Sequence, residues 1–219
     1  MGNIPVDREV TDHLSEAGGI KLMSTKVDEE EHSFELHMPF IYKMSTANGT
    51  RPPTPVVPIM VGDTDATFDN KLASLLAPYF ADKSNAFVVS TDFCHWGLRF
   101  GYTAYTDSKA VVDIRNLGRI SKTAPGVPIF RSIEYLDRLG MKVASLGSYT
   151  KWTEYLDRTD NTICGRTPLG IVLRTIEKVD EQDRNEDYGF LKWIGYAQSS
   201  RVTDISDSSV SYASGYAVC

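Results

Sequence analysis

Two short apolar runs separated by a helical stretch constrain this chain more than any other feature. PVVPIMVG covers residues 55 to 62, DATFDNKLASLLAPYFADK follows, and AFVVS begins at residue 86. Strand, helix, strand in that order is the unit that builds parallel sheets, with the helix packed on one face as the crossover. The order predicts parallel strands at 55 to 61 and 86 to 91 in an α/β fold: a mixed, mainly parallel sheet flanked by helices. In such sheets ligands bind just beyond the carboxyl ends of the strands. The stretch STDFCHWG, residues 90 to 97, occupies that kind of place, where a buried strand would emerge into a loop.

The remaining elements follow from periodicity and punctuation. PVDREVTDHLSEAGG reads as a helix opening at Pro5 and stopped by Gly18 and Gly19. HSFELHMPFIYKM reads as a helix after the acidic run DEEE, and STANGTRPPTP as a loop. IFRSIEYLDRLGMKVASL and SYTKWTEYLDRTDN carry apolar residues at helical spacing. NTICGRTPLGIVLRTIEKV reads as a loop feeding a helix, with Pro168 near its first turn. YGFLKWIGYAQSS and SSVSYASGYAV alternate like strands and are expected to pair antiparallel, near 187 to 198 and 208 to 218. The only change of texture is the acidic connector at 180 to 187, so the 219 residues are expected to form one domain.

Composition excludes several functions. A net charge of −6 argues against general affinity for a phosphate backbone, which needs clustered Lys and Arg. There is neither an apolar run long enough to span a bilayer nor a secretory leader. The opening MGNIPV has Val6 where a myristoylation site wants Ser or Thr. Cys94, Cys164 and Cys219 are too few and too scattered for a disulfide framework, and none forms a CxxC pair. The expected class is a reduced cytosolic protein.

Chemistry concentrates in Asp92, His95 and Cys164. Asp92 and His95 are three apart, so a helical turn after the strand would aim both into one space. A carboxylate there could orient the imidazole, fix its tautomer and raise its basicity. Equally, Asp92 could cap a short helix while His95 packs on Trp96, and the spacing does not choose. Cys164 could be a small buried apolar residue. Alternatively Arg166 and a helix start beside it would favour a thiolate, a soft ligand for copper, zinc or iron. Cys94, next to Phe93, reads as core, and the terminal Cys219 as inert. His13 reads as a solvated surface residue. His32 and His37 are five apart, a poor fit to the i, i+4 geometry that brings two imidazoles to one metal.

STDFCHWG, NTICGR, GYAQSS and SSVSYASG resemble motifs of the Memo family, and EEEHSFELHMPF and FRSIEYLDRLGM resemble its corresponding segments. The resemblance runs from IPVDREV to the C-terminus. It implies a fold similar to class III extradiol dioxygenases, which hold divalent iron with two histidines and a carboxylate. It places Asp92, His95 and Cys164 on the family's pocket positions, with Cys164 where a dioxygenase has a carboxylate, and makes His95 and Cys164 the candidate metal ligands.

The family's other two pocket histidines lie in HAGY and SHH motifs that this sequence does not contain. The chain begins well inside the family's usual length; a genuinely short gene and a start misplaced at an internal Met with the N-terminal segment lost are the competing explanations, and the second is the expected one. Copper or iron should therefore bind weakly or not at all, with His32 as a secondary candidate ligand. The segment after FGYTAYTDSKA is longer than the family's equivalent and reads as an inserted surface loop.

The family implies a non-catalytic signalling or binding protein that links receptor signals to the cytoskeleton and cell motility. Its implied partners are phosphotyrosine peptides of receptor kinases or adaptors, and its implied location is the cytoplasm, with the nucleus as a second. The alternative is a copper- or iron-dependent redox enzyme. Ring-opening dioxygenase activity is the weakest reading, because a thiol replaces the hard carboxylate ligand.

Overall fold

The computed structural model describes residues 2–47, 49–180 and 191–218. They pack as two compact units, residues up to Leu75 and residues from Leu76 onward.

The first unit is helical. Asp7 caps α1 (Arg8–Gly18), its carboxylate accepting from the Val10 amide at 3.1 Å, and Gly19 closes the helix in the left-handed conformation. The helix therefore starts at Arg8 rather than at Pro5, because Asp7 supplies the cap. Ser24 caps α2 (Thr25–Glu30), a short helix formed by the acidic run. Glu31 then caps α3 (His32–Ser45) by accepting from the Ser33 and Phe34 amides. α4 (Ala66–Ala81) follows the apolar run at 55 to 61.

That run is not a strand of a parallel sheet. Pro55 and Pro58 lack the amide hydrogen that a ladder needs, and the pairing is a single parallel bridge between Val56 and Val6. The Val56 amide donates to the Pro5 carbonyl at 2.9 Å, and Val56 accepts from Asp7 at 3.0 Å.

The second unit mixes helices with antiparallel strands. β1 (His95–Trp96), β4 (Lys192–Gln198) and β5 (Ser209–Tyr216) form one sheet in the order β1-β5-β4, and β2 (Ala104–Tyr105) pairs with β3 (Arg115–Asn116). Every pairing between these strands is antiparallel. The expected parallel sheet is thus replaced by an antiparallel one. Residues 86 to 91 are neither strand nor helix, and Phe87 and Val88 are 37% and 59% exposed. Strand-forming side chains make a strand only where another strand meets them, and here the partner, β5, engages the chain just downstream. The Phe93 amide donates to Ser211, and the Ser211 amide donates back to Cys94.

STDFCHWG is accordingly a strand edge rather than a loop beyond one. Gly97 ends it at φ 132, where a Cβ would come within 2.8 Å of the Ser208 Cβ. A 3-10 turn, Leu98–Phe100, follows.

Alternation along the strand sorts its side chains. Cys94 and Trp96 enter a core with Tyr105, Ile133 and Val202, whereas Phe93 enters a second core with Trp152, Ile163 and Leu173. Three helices border these cores: α5 (Ile129–Ala144), α6 (Tyr149–Thr159) and α7 (Arg166–Asp180). The segment expected to be an inserted surface loop instead buries Val111 and Leu117 in the first core, although Ile120 is 96% exposed. β4 and β5 match the expected antiparallel pair. Residues 187 to 190 of that expectation, the acidic connector from residue 181 on, and Cys219 lie outside the described residues.

Candidate functional site

The residues from Thr91 to His95 run alongside Thr162 to Gly165, and the two segments are laced together. The Cys164 amide donates to the Asp92 carbonyl at 3.1 Å, and the Gly165 amide donates to the Thr91 hydroxyl at 2.9 Å. The Thr162 hydroxyl accepts from the His95 amide at 2.9 Å and donates to the His95 carbonyl at 2.8 Å. One side chain thereby satisfies both backbone groups of the histidine. Gly165 is required for this approach: a Cβ there would collide with the Thr91 Cβ and lie 2.6 Å from the Ser90 carbonyl.

The His95 ring is fixed from one side. Its Nδ1 lies 3.0 Å from the Phe93 carbonyl and 3.1 Å from the Thr162 carbonyl. Carbonyls only accept, so Nδ1 carries the hydrogen and the neutral ring presents a lone pair at Nε2. That nitrogen faces the Asp92 carboxylate at 3.8 Å. Two acceptors facing each other are satisfied by a proton, or by an N–H or O–H donor placed between them. The pair is accessible: the His95 side chain is 20% exposed and Asp92 43%. The expected convergence of Asp92 and His95 occurs, but from an extended strand edge and not from a helical turn. Beside them, the Phe100 ring meets the His95 ring edge-on at 5.2 Å, and the Arg99 guanidinium lies over Phe100 at 4.3 Å.

A buried carboxylate ties the two segments together from below. Asp137 accepts from the Cys94 amide at 3.3 Å, from Asn161 Nδ2 at 3.0 Å and from the Tyr196 hydroxyl at 2.8 Å. Burial raises its pKa, and hydrogen bonds, Ser211's first among them, draw it partly back. Burial raises the Cys94 thiol too, with the nearby Asp137 adding to the effect. Burial likewise raises the phenols of Tyr155 and Tyr196. Sequence reading missed Thr162 and Asp137. The second left a signal, a carboxylate on the same helical stripe as Ile133, Leu136 and Met141, all buried.

Cys94 is core, as expected, whereas Cys164 is exposed rather than a buried apolar residue. In the first unit His32 is a surface residue, 84% exposed with its Nδ1 3.6 Å from Glu35. His37 turns Nδ1 to the Ser33 carbonyl of its own helix at 2.9 Å. A tight transition-metal site needs three or four donors converging on one point. Among the described residues no group of three or more His, Cys, Asp and Glu side chains is so placed. With Nδ1 committed to carbonyls, His95 offers only Nε2. Among the described residues the donor set does not fit a resident copper or iron ion. Nor, among the described residues, is any helix long and apolar enough to cross a membrane.

Comparison with known proteins supplies a context for this geometry. A family model described as Memo-like protein matches residues 1–216. A MEMO1 family protein of Schizosaccharomyces pombe is 37% identical over 219 residues, covering 99% of this chain and 69% of the relative. Human Protein MEMO1 is 35% identical over 213 residues, covering 97% of this chain and 64% of its own length. Protein MEMO1 of Danio rerio is 36% identical over 213 residues, with the same coverage, 97% and 64%. The chain therefore spans about two thirds of the length of the relatives it matches.

Proposed function

Because the chain belongs to the Memo family, we propose that it is a non-catalytic binding protein that links receptor signals to the cytoskeleton and cell motility. The surface at Asp92, His95 and Cys164 is its ligand site, the counterpart of a dioxygenase pocket, and its ligand is a phosphotyrosine peptide of a receptor kinase or adaptor. The role implies a cytoplasmic location, with the nucleus as a second.

The observation that carries this reading is the layered arrangement of Arg99, Phe100 and His95 beside Asp92. A guanidinium on an aromatic ring suits a phosphorylated aryl group, since Arg pairs with phosphate through two parallel hydrogen bonds and aromatic rings meet edge-on or offset. The His95–Asp92 pair is suited to receive a peptide N–H. Nδ1 of His95 is held by two carbonyls, and Nε2 faces Asp92 across 3.8 Å. That arrangement supports recognition rather than a base working on the Cys164 thiol, which would need Nε2 turned to sulfur.

Fluorescence anisotropy with a labelled phosphotyrosine peptide library and its unphosphorylated counterpart tests the reading. The phosphorylated peptides should bind selectively, and Arg99→Ala and His95→Ala should each weaken them in a protein whose circular dichroism is unchanged. Equal binding of the two libraries, or no effect of either substitution, would refute it. A copper- or iron-dependent redox activity is the second reading, motivated by a thiol and an imidazole on adjoining segments. The donor set described above does not fit it.

A further inference from the structure

Helix α5 divides its surface in two. Ile129, Ile133, Leu136, Met141 and Ala144 face the cores. The opposite face carries Arg131, Glu134, Arg138 and Lys142, a row at successive i+3 and i+4 steps. With Lys109 and Tyr135 these residues line a groove of about 650 Å³, a size that holds ligands in other proteins.

The groove is positively charged within an acidic chain. Arg131 and Arg138, 53% and 52% exposed, share Glu134 at 2.8 and 3.5 Å. One carboxylate cannot neutralise two guanidiniums, and Lys109 and Lys142 add two more cations in a protein whose net charge is −6. Exposed ion pairs of this kind contribute roughly 0–1 kcal/mol, so a ligand carboxylate can replace Glu134 at little cost. The Arg138 guanidinium also rests 4.8 Å above the Tyr196 ring, which restricts where it can reach.

The spacing narrows the ligand. Residues four apart on a helix rise about 6 Å, and alternate residues of an extended chain advance about 6.6 Å. Arg138 and Lys142 stand one such step apart and Arg131 about 10.5 Å before Arg138, so acidic side chains at every second position of a strand come within reach of all three long cationic side chains. We propose that this groove binds an extended acidic segment of a partner protein, its carboxylates alternating with neutral residues. The site is separate from the Asp92–His95–Cys164 surface, and its success or failure does not depend on that reading.

The test is anisotropy at low salt with the full chain and a labelled peptide of about twelve residues alternating Glu and Ser, against a peptide of the same composition with all Glu in one block. The alternating peptide should bind more tightly than the block and weaken as salt screens the charges. Reversing two cations, Arg138→Glu with Lys142→Glu, should weaken it at least about tenfold. Glu134→Gln removes the competing carboxylate without adding bulk and should tighten it about twofold or more. Three results would each overturn the proposal: equal affinity for both peptides, binding indifferent to the double reversal and to Glu134→Gln, or no peptide binding. Capture by phosphatidylserine vesicles that the double reversal abolishes, without peptide binding, would assign the groove to a lipid surface instead.

Discussion

The Cys164 amide donates to the Asp92 carbonyl across 3.1 Å. This backbone bond joins two segments far apart in the sequence, and the candidate site is the place where they lie side by side. The strength of that lacing can be measured.

Gly165→Ala should unlace it. The added methyl has no room beside Thr91 and the Ser90 carbonyl, and forced overpacking costs roughly 1–3 kcal/mol. Urea denaturation should show a loss in that range, while Gly195→Ala, at a position with open space around it, should stay within about 0.5 kcal/mol of the parent. Equal effects of the two substitutions would mean that the segments do not meet as described.

Asp137 should leave a signature in the dependence of stability on pH. Burial raises its pKa above the ordinary carboxylate value, so the native state keeps this proton after the unfolded chain has lost it. The stability it contributes is full below the ordinary value and declines as pH rises through the raised one. Asp137→Asn should flatten that decline. It should also cost about 1–3 kcal/mol, because a carboxamide cannot accept from Cys94, Asn161 and Tyr196 together. Denaturation midpoints between about pH 4 and pH 8 for both proteins decide the matter, and parallel curves would count against it.

The two described cysteines should differ in reactivity. Cys94 is fully buried and its thiol pKa is raised, whereas Cys164 is exposed. Brief alkylation of the native protein followed by peptide mapping should modify Cys164 and spare Cys94 until denaturant is added. Early labelling of Cys94 would show that the strand opens readily.

Metal affinity should be low. An anaerobic titration under reducing conditions should give no tight one-to-one complex with Cu(I) or Fe(II), since the described donors do not converge. Extending the chain with a segment containing HAGY and SHH should raise affinity sharply, and Cys164→Ser should then remove most of the gain. Tight binding by the present chain, unaffected by Cys164→Ser, would place the site elsewhere.

Local signals carried much of the architecture. Asp7 and Gly19 bound α1 by capping chemistry that involves only neighbours, and the stripe Ile129, Ile133, Leu136 and Met141 reads directly as a buried helix face. Pairing is different, because it depends on residues far along the chain. Val88 and Val89 have strand-forming side chains, yet the ladder belongs to His95 and Trp96, since Val210 and Ser209 are what lie opposite. The site was legible as residue types and not as geometry. Asp92 and His95 could be named from one short stretch, but Thr162, which holds both backbone groups of His95, has no local mark that sets it apart from any other threonine.

Phe93 and Cys94 are consecutive, yet they belong to different cores. The strand that bears the candidate site is therefore a party wall, with a packed interior on each side and His95 set in its edge. Such a wall cannot be moved for the benefit of one side alone. Local opening at His95 would have to drag Phe93 away from Trp193, against which it packs at 5.7 Å, and Cys94 away from the Asp137 carboxylate. The histidine thus inherits the rigidity of the whole second unit, and its backbone amide hydrogen should exchange with solvent on the timescale of global unfolding rather than of loop fluctuation.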